Sequence, residues 1–197
     1  MKNLILIILV LFFAFSCVGL PPETENIAPQ KPQAPIYIMS TGRVSAANLA
    51  LFLMRNNPNL DEHYSHSLAI IYTEEAAFEG VNHDIAFVQM CLETGYLRFG
   101  GDVKPEQNNF AGLGAVGNGE PGLSFPDVRT GVRAQIQHLK AYGSQEPLRG
   151  ELVNPRFRFV QRGISPTYEG LAGTWAVDRQ YADKIKAILE SLYDFSW

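Results

Sequence analysis

The stretch "NHDIAFVQMCLETGYL", residues 82–97, constrains this chain more than any other. Ile85, Val88, Leu92 and Tyr96 recur at helical core spacing, while Phe87, Met90 and Cys91 cover the other sides. A helix that is apolar almost all round must lie at the centre of a fold. Asn82 or His83 can cap its start, and Asp84 suits the positive end of its dipole. Within this apolar company sits one acid, Glu93, four residues after Gln89 and on the same face. Desolvation disfavours the charged form of such a carboxyl and raises its pKa. A carboxylic acid that stays protonated near neutral pH can donate a proton to a leaving oxygen, the general-acid step of glycoside hydrolysis. The plainer alternative is a glutamate at a helix end that reaches water.

Other segments are helical too. "SAANLALFLMRNNP" is amphipathic and stops before Pro58, and "LDEHYSHSLAIIYTEEAAFEGV" runs to about Gly80. "FPDVRTGVRAQIQHLKAYG" begins near Asp127, "SPTYEGLAGTWA" suggests a short helix, and "DRQYADKIKAILESLYDF" is the last helix. Residues 100–124 are rich in Gly and Asn, which fits a short hairpin or irregular loops. The expected fold class is mainly α (α+β), a helical domain with a small β-hairpin or irregular lobe.

The start of the chain reads differently. "MKNLILIILVLFFAFSC" has a Lys at position 2, then an apolar run from Leu4 to Phe15, too short for a comfortable membrane span. This is the pattern of an export signal. It ends in small residues before Cys17, which resembles a bacterial lipoprotein signal and implies lipidation of Cys17; a plain secretory signal is the alternative. Residues 1–16 are then a leader, residues 17–40, with five prolines from Pro21 to Pro35, a tether, and residues 41–197 the domain. The expected location is outside the cytoplasm, with the protein lipid-anchored to a bacterial membrane and facing the periplasm or the cell surface. With Cys17 acylated, Cys91 has no disulfide partner and reads as a small buried hydrophobe.

A net charge of −4 and the lack of a basic stripe argue against a nucleic-acid partner. His63 and His66 are three apart without further ligands, no phosphate loop or Gly-x-Ser-x-Gly elbow is present, and neither metal nor organic cofactor is expected. A monomer is expected.

"ETGYLRFGG" followed by "NNFAGLGA" resembles the bacterial N-acetylglucosaminidases of glycoside hydrolase family 73, whose fold is lysozyme-like. The matching residues are Gln89, Glu93, Thr94, Gly95 and Tyr96, then Asn108, Asn109, Phe110, Gly112 and Leu113. "GTWAVDRQYADKI" is similar to a later segment of that family through Trp175, Ala176, Asp178 and Tyr181, and departs from it at Val177 and Arg179. The resemblance implies an endo-β-N-acetylglucosaminidase acting on peptidoglycan glycan strands, with Glu93 as general acid. It also implies Tyr181 near the reacting sugar carbon, where it would stabilise positive charge. Gln89, Asn108 and Asn109 would offer amides to sugar groups, and Phe110 and Trp175 flat faces to sugar rings. Turn chemistry for the asparagines and core packing for the aromatics are the competing readings. Many family members carry a second acid in the central lobe; here Glu120 is the first candidate and Asp127 the second, with the substrate's own acetamido group as an alternative. Two rival functions remain: a lytic transglycosylase, and a non-catalytic wall-binding lipoprotein.

Overall fold

The computed structural model describes residues 31–115, 117, 119 and 121–197. The leader, the tether up to residue 30 with Cys17, and Glu120 lie outside the described residues.

Five α-helices carry the described domain: α1 (Ala46–Asn56), α2 (Glu62–Glu79), α3 (His83–Thr94), α4 (Val128–Gly143) and α5 (Tyr181–Ser196). Short 3-10 turns at Pro105–Gln107, Phe157–Phe159 and Tyr168–Leu171 punctuate the connections. The local signals for the ends are those of the sequence. Ser45, Asp61, Asn82 and Asp127 each accept a hydrogen bond from the first turn of the helix that follows, and so satisfy amides with no partner inside the helix. Gly80 and Gly95 end α2 and α3 in the left-handed conformation, with φ of 80° and 57°.

The central helix is α3, which packs against α2, α4 and α5. Ile85, Ala86, Phe87, Val88, Met90 and Cys91 are fully buried. Burial of each large apolar side chain here is worth roughly 1.5–3 kcal/mol. Cys91 is one of these core residues, and burial pushes its thiol far above the usual range, so it is inert as a nucleophile. Two polar clamps tie the helices together. Lys140 on α4 and Glu79 on α2 form a fully buried ion pair at 2.8 Å. Asp84, also buried, accepts from the backbone amide of Arg43 at 2.8 Å and from the Tyr193 hydroxyl at 2.8 Å, which joins the start of α3 to the segment before α1 and to α5.

One expectation is corrected. The tether expected over residues 17–40 is shorter, because the fold already includes residues 36–40. Ile38 is fully buried, its amide donates to the Pro166 carbonyl at 2.9 Å, and its carbonyl accepts from Asn82 at 2.8 Å. The apolar alternation of Ile36 and Ile38 finds partners only in tertiary structure, so the prolines nearby dominate a local reading.

The lobe between α3 and α4 takes the irregular of the two forms expected for it. Among its described residues there is no hairpin; the isolated bridges, Tyr37 with Thr167 and Ala172 with Ala176, lie elsewhere. Side-chain amides replace a ladder. Gln107 Nε2 donates to the Pro121 carbonyl at 2.6 Å, Asn108 Nδ2 to Phe125 at 3.0 Å, and Asn109 Nδ2 to Leu113 at 2.9 Å. The lobe is entered by a sharp reversal after α3, where Tyr96, Leu97 and Phe99 take left-handed backbone with φ of 57°, 63° and 50°. Each costs on the order of 1 kcal/mol. Thr94 holds the reversal: its hydroxyl donates to the Met90 carbonyl at 2.7 Å and accepts from the Leu97 amide at 2.8 Å.

Candidate active site

Glu93 occupies the last turn of α3, where the helix leaves the core. Two clefts meet over it. The narrower, about 180 Å³, is lined by Glu93, Thr94, Phe99, Asp102, Asn109 and Gly112. The wider, about 390 Å³, is lined by Glu93, Gly112, Trp175, Asp178, Tyr181 and Lys184. Glu93 and Gly112 border both, so the carboxyl stands at the waist of one groove. Gly112 has φ of 62°, and a Cβ there would lie 3.7 Å from Glu93 Oε2. The glycine permits the turn and keeps that oxygen uncovered.

The two oxygens of Glu93 have different surroundings. Oε1 accepts from the Tyr181 hydroxyl at 2.5 Å and from Trp175 Nε1 at 3.0 Å. Oε2 has no hydrogen-bond partner among the described residues and faces the groove. The carboxyl is crowded on its helix side and open to solvent on its groove side. Burial on the helix side raises its pKa, and the Tyr181 and Trp175 hydrogen bonds, which favour the carboxylate, moderate the rise. A carboxyl with an elevated pKa, one oxygen anchored and the other presented to a groove has the chemistry needed for proton donation.

Tyr181 opens α5 and is 5% exposed. Burial, and then the Glu93 charge, hold its hydroxyl well above the usual phenol range, so it stays a neutral donor. It also accepts from Gln89 Nε2 at 3.1 Å. Its single hydrogen is thus committed to Glu93, and Tyr181 holds that carboxyl through Oε1. Gln89 is fully buried and touches Tyr181 and Gln135, not the groove.

Trp175 is half-buried. Its ring packs edge-on against His138 at 5.0 Å between centroids and lies 5.5 Å from Tyr142. His138 is itself fixed by Asn154, whose Nδ2 donates to His138 Nδ1 at 2.8 Å. Burial lowers the His138 pKa to about 4, with the Arg156 charge adding to the effect, so the ring is neutral with its hydrogen on Nε2.

Three expected substrate contacts find other employment. Phe110 is 1% exposed and stands edge-on to Tyr72 in the core, where no sugar ring can stack on it. Asn109 lines the narrower cleft, but its amide bonds the Leu113 and Leu123 backbone on both its nitrogen and its oxygen. Asn108 likewise serves the Phe125 carbonyl. Asp127 caps α4 and also accepts from the Thr130 hydroxyl at 3.0 Å. Glu120 lies outside the described residues. Among the described carboxylates in the groove, Asp178 is paired with Lys184 at 2.7 Å, which lowers its pKa and keeps it anionic. Asp102, on the far side of the narrower cleft, has no ion-pair partner among the described residues. The sequence singled out neither Asp102 nor Gln135. Gln135 carries one faint signal, an amide on an α4 face otherwise made of Val132, Ile136 and Leu139. Among the described residues, no group of three or more His, Cys, Asp or Glu is placed to hold a metal.

A helical domain whose buried central helix ends in a single carboxyl at a groove is the architecture of a lysozyme-like glycoside hydrolase. The relatives agree. The chain belongs to the glucosaminidase family of glycoside hydrolases, family 73: the family model described as mannosyl-glycoprotein endo-beta-N-acetylglucosaminidase matches residues 69–194. It is 42% identical over 160 residues to an uncharacterised protein of Borreliella burgdorferi, covering 81% of this chain and 78% of that one. Its fold is similar to that of a catalytic mutant of S. aureus autolysin E solved with the disaccharide NAG-NAM, with a TM-score of 0.50, 15% identity, and coverage of 81% of this chain and 71% of that one.

Proposed function

We propose that this glycoside hydrolase cuts peptidoglycan between N-acetylglucosamine and N-acetylmuramic acid, with Glu93 as the general acid. The observation that carries the reading is the carboxyl of Glu93, anchored through Oε1 by Tyr181 and Trp175 and presenting Oε2 to the groove. The disaccharide bound to the similarly folded autolysin E supports the choice of substrate. In the reaction Glu93 Oε2 gives its proton to the glycosidic oxygen as the bond from that oxygen to the sugar carbon breaks. The leaving sugar departs as a neutral alcohol, positive charge develops at the anomeric carbon, and Glu93 is left as a carboxylate held by the Tyr181 and Trp175 hydrogens; water then adds to that carbon, giving the reducing N-acetylglucosamine end and releasing the proton that restores the acid. Those two donors stabilise the charge that appears on Glu93 in the transition state.

The protein would be exported and held at a bacterial membrane by lipid on Cys17. The apolar leader that ends at this cysteine supports that location.

Mass spectrometry of peptidoglycan digested by the full chain tests the bond. Products ending in reducing N-acetylglucosamine are expected. Products ending in a 1,6-anhydro sugar would instead identify a lytic transglycosylase, and undigested peptidoglycan a binding protein.

A further inference from the structure

Behind the hydroxyl that holds Glu93 runs a buried line of side-chain hydrogen bonds. Tyr72 on α2 donates to Gln135 Oε1 at 2.6 Å. Gln135 on α4 donates from Nε2 to Gln89 Oε1 at 2.9 Å, and from the same nitrogen to the Ala86 carbonyl at 3.0 Å. Gln89 on α3 donates to the Tyr181 oxygen at 3.1 Å, and Tyr181 on α5 donates to Glu93 at 2.5 Å. Tyr72, Gln135 and Gln89 are fully buried.

The direction of this line follows from one group that cannot turn. A backbone carbonyl only accepts, so the end of Gln135 that meets Ala86 must be its nitrogen. That nitrogen also faces Gln89, which must answer with its oxygen. Gln89 then has only its nitrogen left for Tyr181, and the Tyr181 oxygen, already accepting, turns its single hydrogen to Glu93. No amide in the line can be reversed without setting two donors or two acceptors against each other in a dry interior, which is costly.

We infer that Gln135 is a positioning residue for the acid: anchored by the Ala86 carbonyl, it acts through Gln89 to commit the Tyr181 hydrogen to Glu93 Oε1, and so keeps the acid's own proton on Oε2, at the groove. This rests on the reading of Glu93 as the acid. Gln135 touches no substrate. It lies one helix behind the site, and its effect reaches Glu93 only as the direction of a hydroxyl. The other titratable or charged groups that face Glu93 are the Asp178–Lys184 pair across the wider cleft and Asp102 across the narrower, with neutral His138 behind Trp175. None of them bonds to Gln135, Gln89 or Tyr181.

The test is the pH dependence of kcat and KM for muropeptide release by the full chain carrying Gln135→Glu, Tyr181→Phe or both, with Glu93→Gln alongside. The carboxyl of Gln135→Glu cannot donate to both the Ala86 and Gln89 oxygens. Gln89 can then turn its nitrogen toward α4 and its oxygen toward Tyr181, which draws the hydroxyl hydrogen away from Glu93. The expected result is an alkaline limb displaced upward by about half a pH unit or more, a kcat lower by on the order of tenfold, and an unchanged KM. In the Tyr181→Phe background the same substitution is expected to add no displacement, because no hydroxyl remains to redirect. An unmoved limb in Gln135→Glu, or an equal displacement with and without Tyr181, overturns the inference. If Gln135→Glu does not fold, Gln135→Met keeps the volume and removes the directing amide, and an unmoved limb in that variant is equally fatal. Activity retained by Glu93→Gln would instead bring down the reading of Glu93, whereas an inactive Glu93→Gln beside an unmoved Gln135→Glu removes this inference alone.

Discussion

The Tyr181 hydroxyl, in the first turn of α5, donates to Glu93 Oε1, in the last turn of α3, across 2.5 Å. The residues are 88 apart in sequence, and the contact exists because α5 packs along the central helix. Its hydrogen favours the carboxylate and works against the burial that favours the acid. Tyr181→Phe leaves burial unopposed by that bond, so the Glu93 pKa rises further. A general acid is active while protonated, so the alkaline limb of the rate profile is expected to move to higher pH. The anion formed in the transition state also loses a donor, and kcat should fall by on the order of tenfold to a hundredfold. Rate profiles of the two proteins across pH 4 to 9 provide the measurement.

His138 makes stability depend on pH. Its folded pKa is about 4, below the ordinary 6.5. Above 6.5 the ring is neutral in both states and its contribution is complete. As pH falls from 6.5 toward 4 the unfolded chain takes up a proton that the folded chain refuses, so stability declines, by up to about 3 kcal/mol, and levels off below 4 as far as this group is concerned. Thermal melts across that window should show the decline. In His138→Gln, which has no group to titrate there, the slope should flatten; an identical slope would contradict the assignment.

Lys140→Met strands Glu79 in the interior, where it keeps only the Arg149 and Gly150 amides as donors. Removing one partner of a buried pair costs about 3–5 kcal/mol. Urea unfolding should show a lower midpoint with an unchanged slope. Adding Glu79→Leu should recover part of the loss, since no unpaired carboxyl then remains.

The central helix was legible because its signals are local: Asn82 before it, Gly95 after it, and apolar side chains on every face between. Glu93 stood out for the same reason. The boundary at Ile38 was not legible, because its partners Pro166 and Asn82 come from distant parts of the chain. Asn108 and Asn109 carry two readings in the sequence, because an amide beside a glycine-rich turn looks the same whether it will bind a sugar or a backbone carbonyl; the structure shows their bonds to backbone carbonyls. For Phe110 the sequence leaves sugar stacking and core packing open, because an aromatic in a loop gives no sign of which ring will cover it; Tyr72 covers it from α2. Gln135 escaped because its role needs α3 and α5 in place before its amide has anything to direct.

Anchoring by lipid on Cys17 predicts a simple fractionation. The wild-type chain should travel with membranes, and Cys17→Ser should appear in the soluble exported fraction. Unchanged membrane retention with the leader still attached would point to an uncleaved hydrophobic anchor instead.

The central claim is that Glu93 supplies the proton, and Glu93→Gln tests it most directly. The amide keeps the size of the side chain and can still accept from Tyr181 and Trp175, but it has no acidic proton to give. Muropeptide release by the purified variant, measured by mass spectrometry beside its thermal melt, is expected to fall by on the order of a hundredfold or more while the melting temperature holds or rises. Release of products ending in reducing N-acetylglucosamine at a near-normal rate would contradict the account.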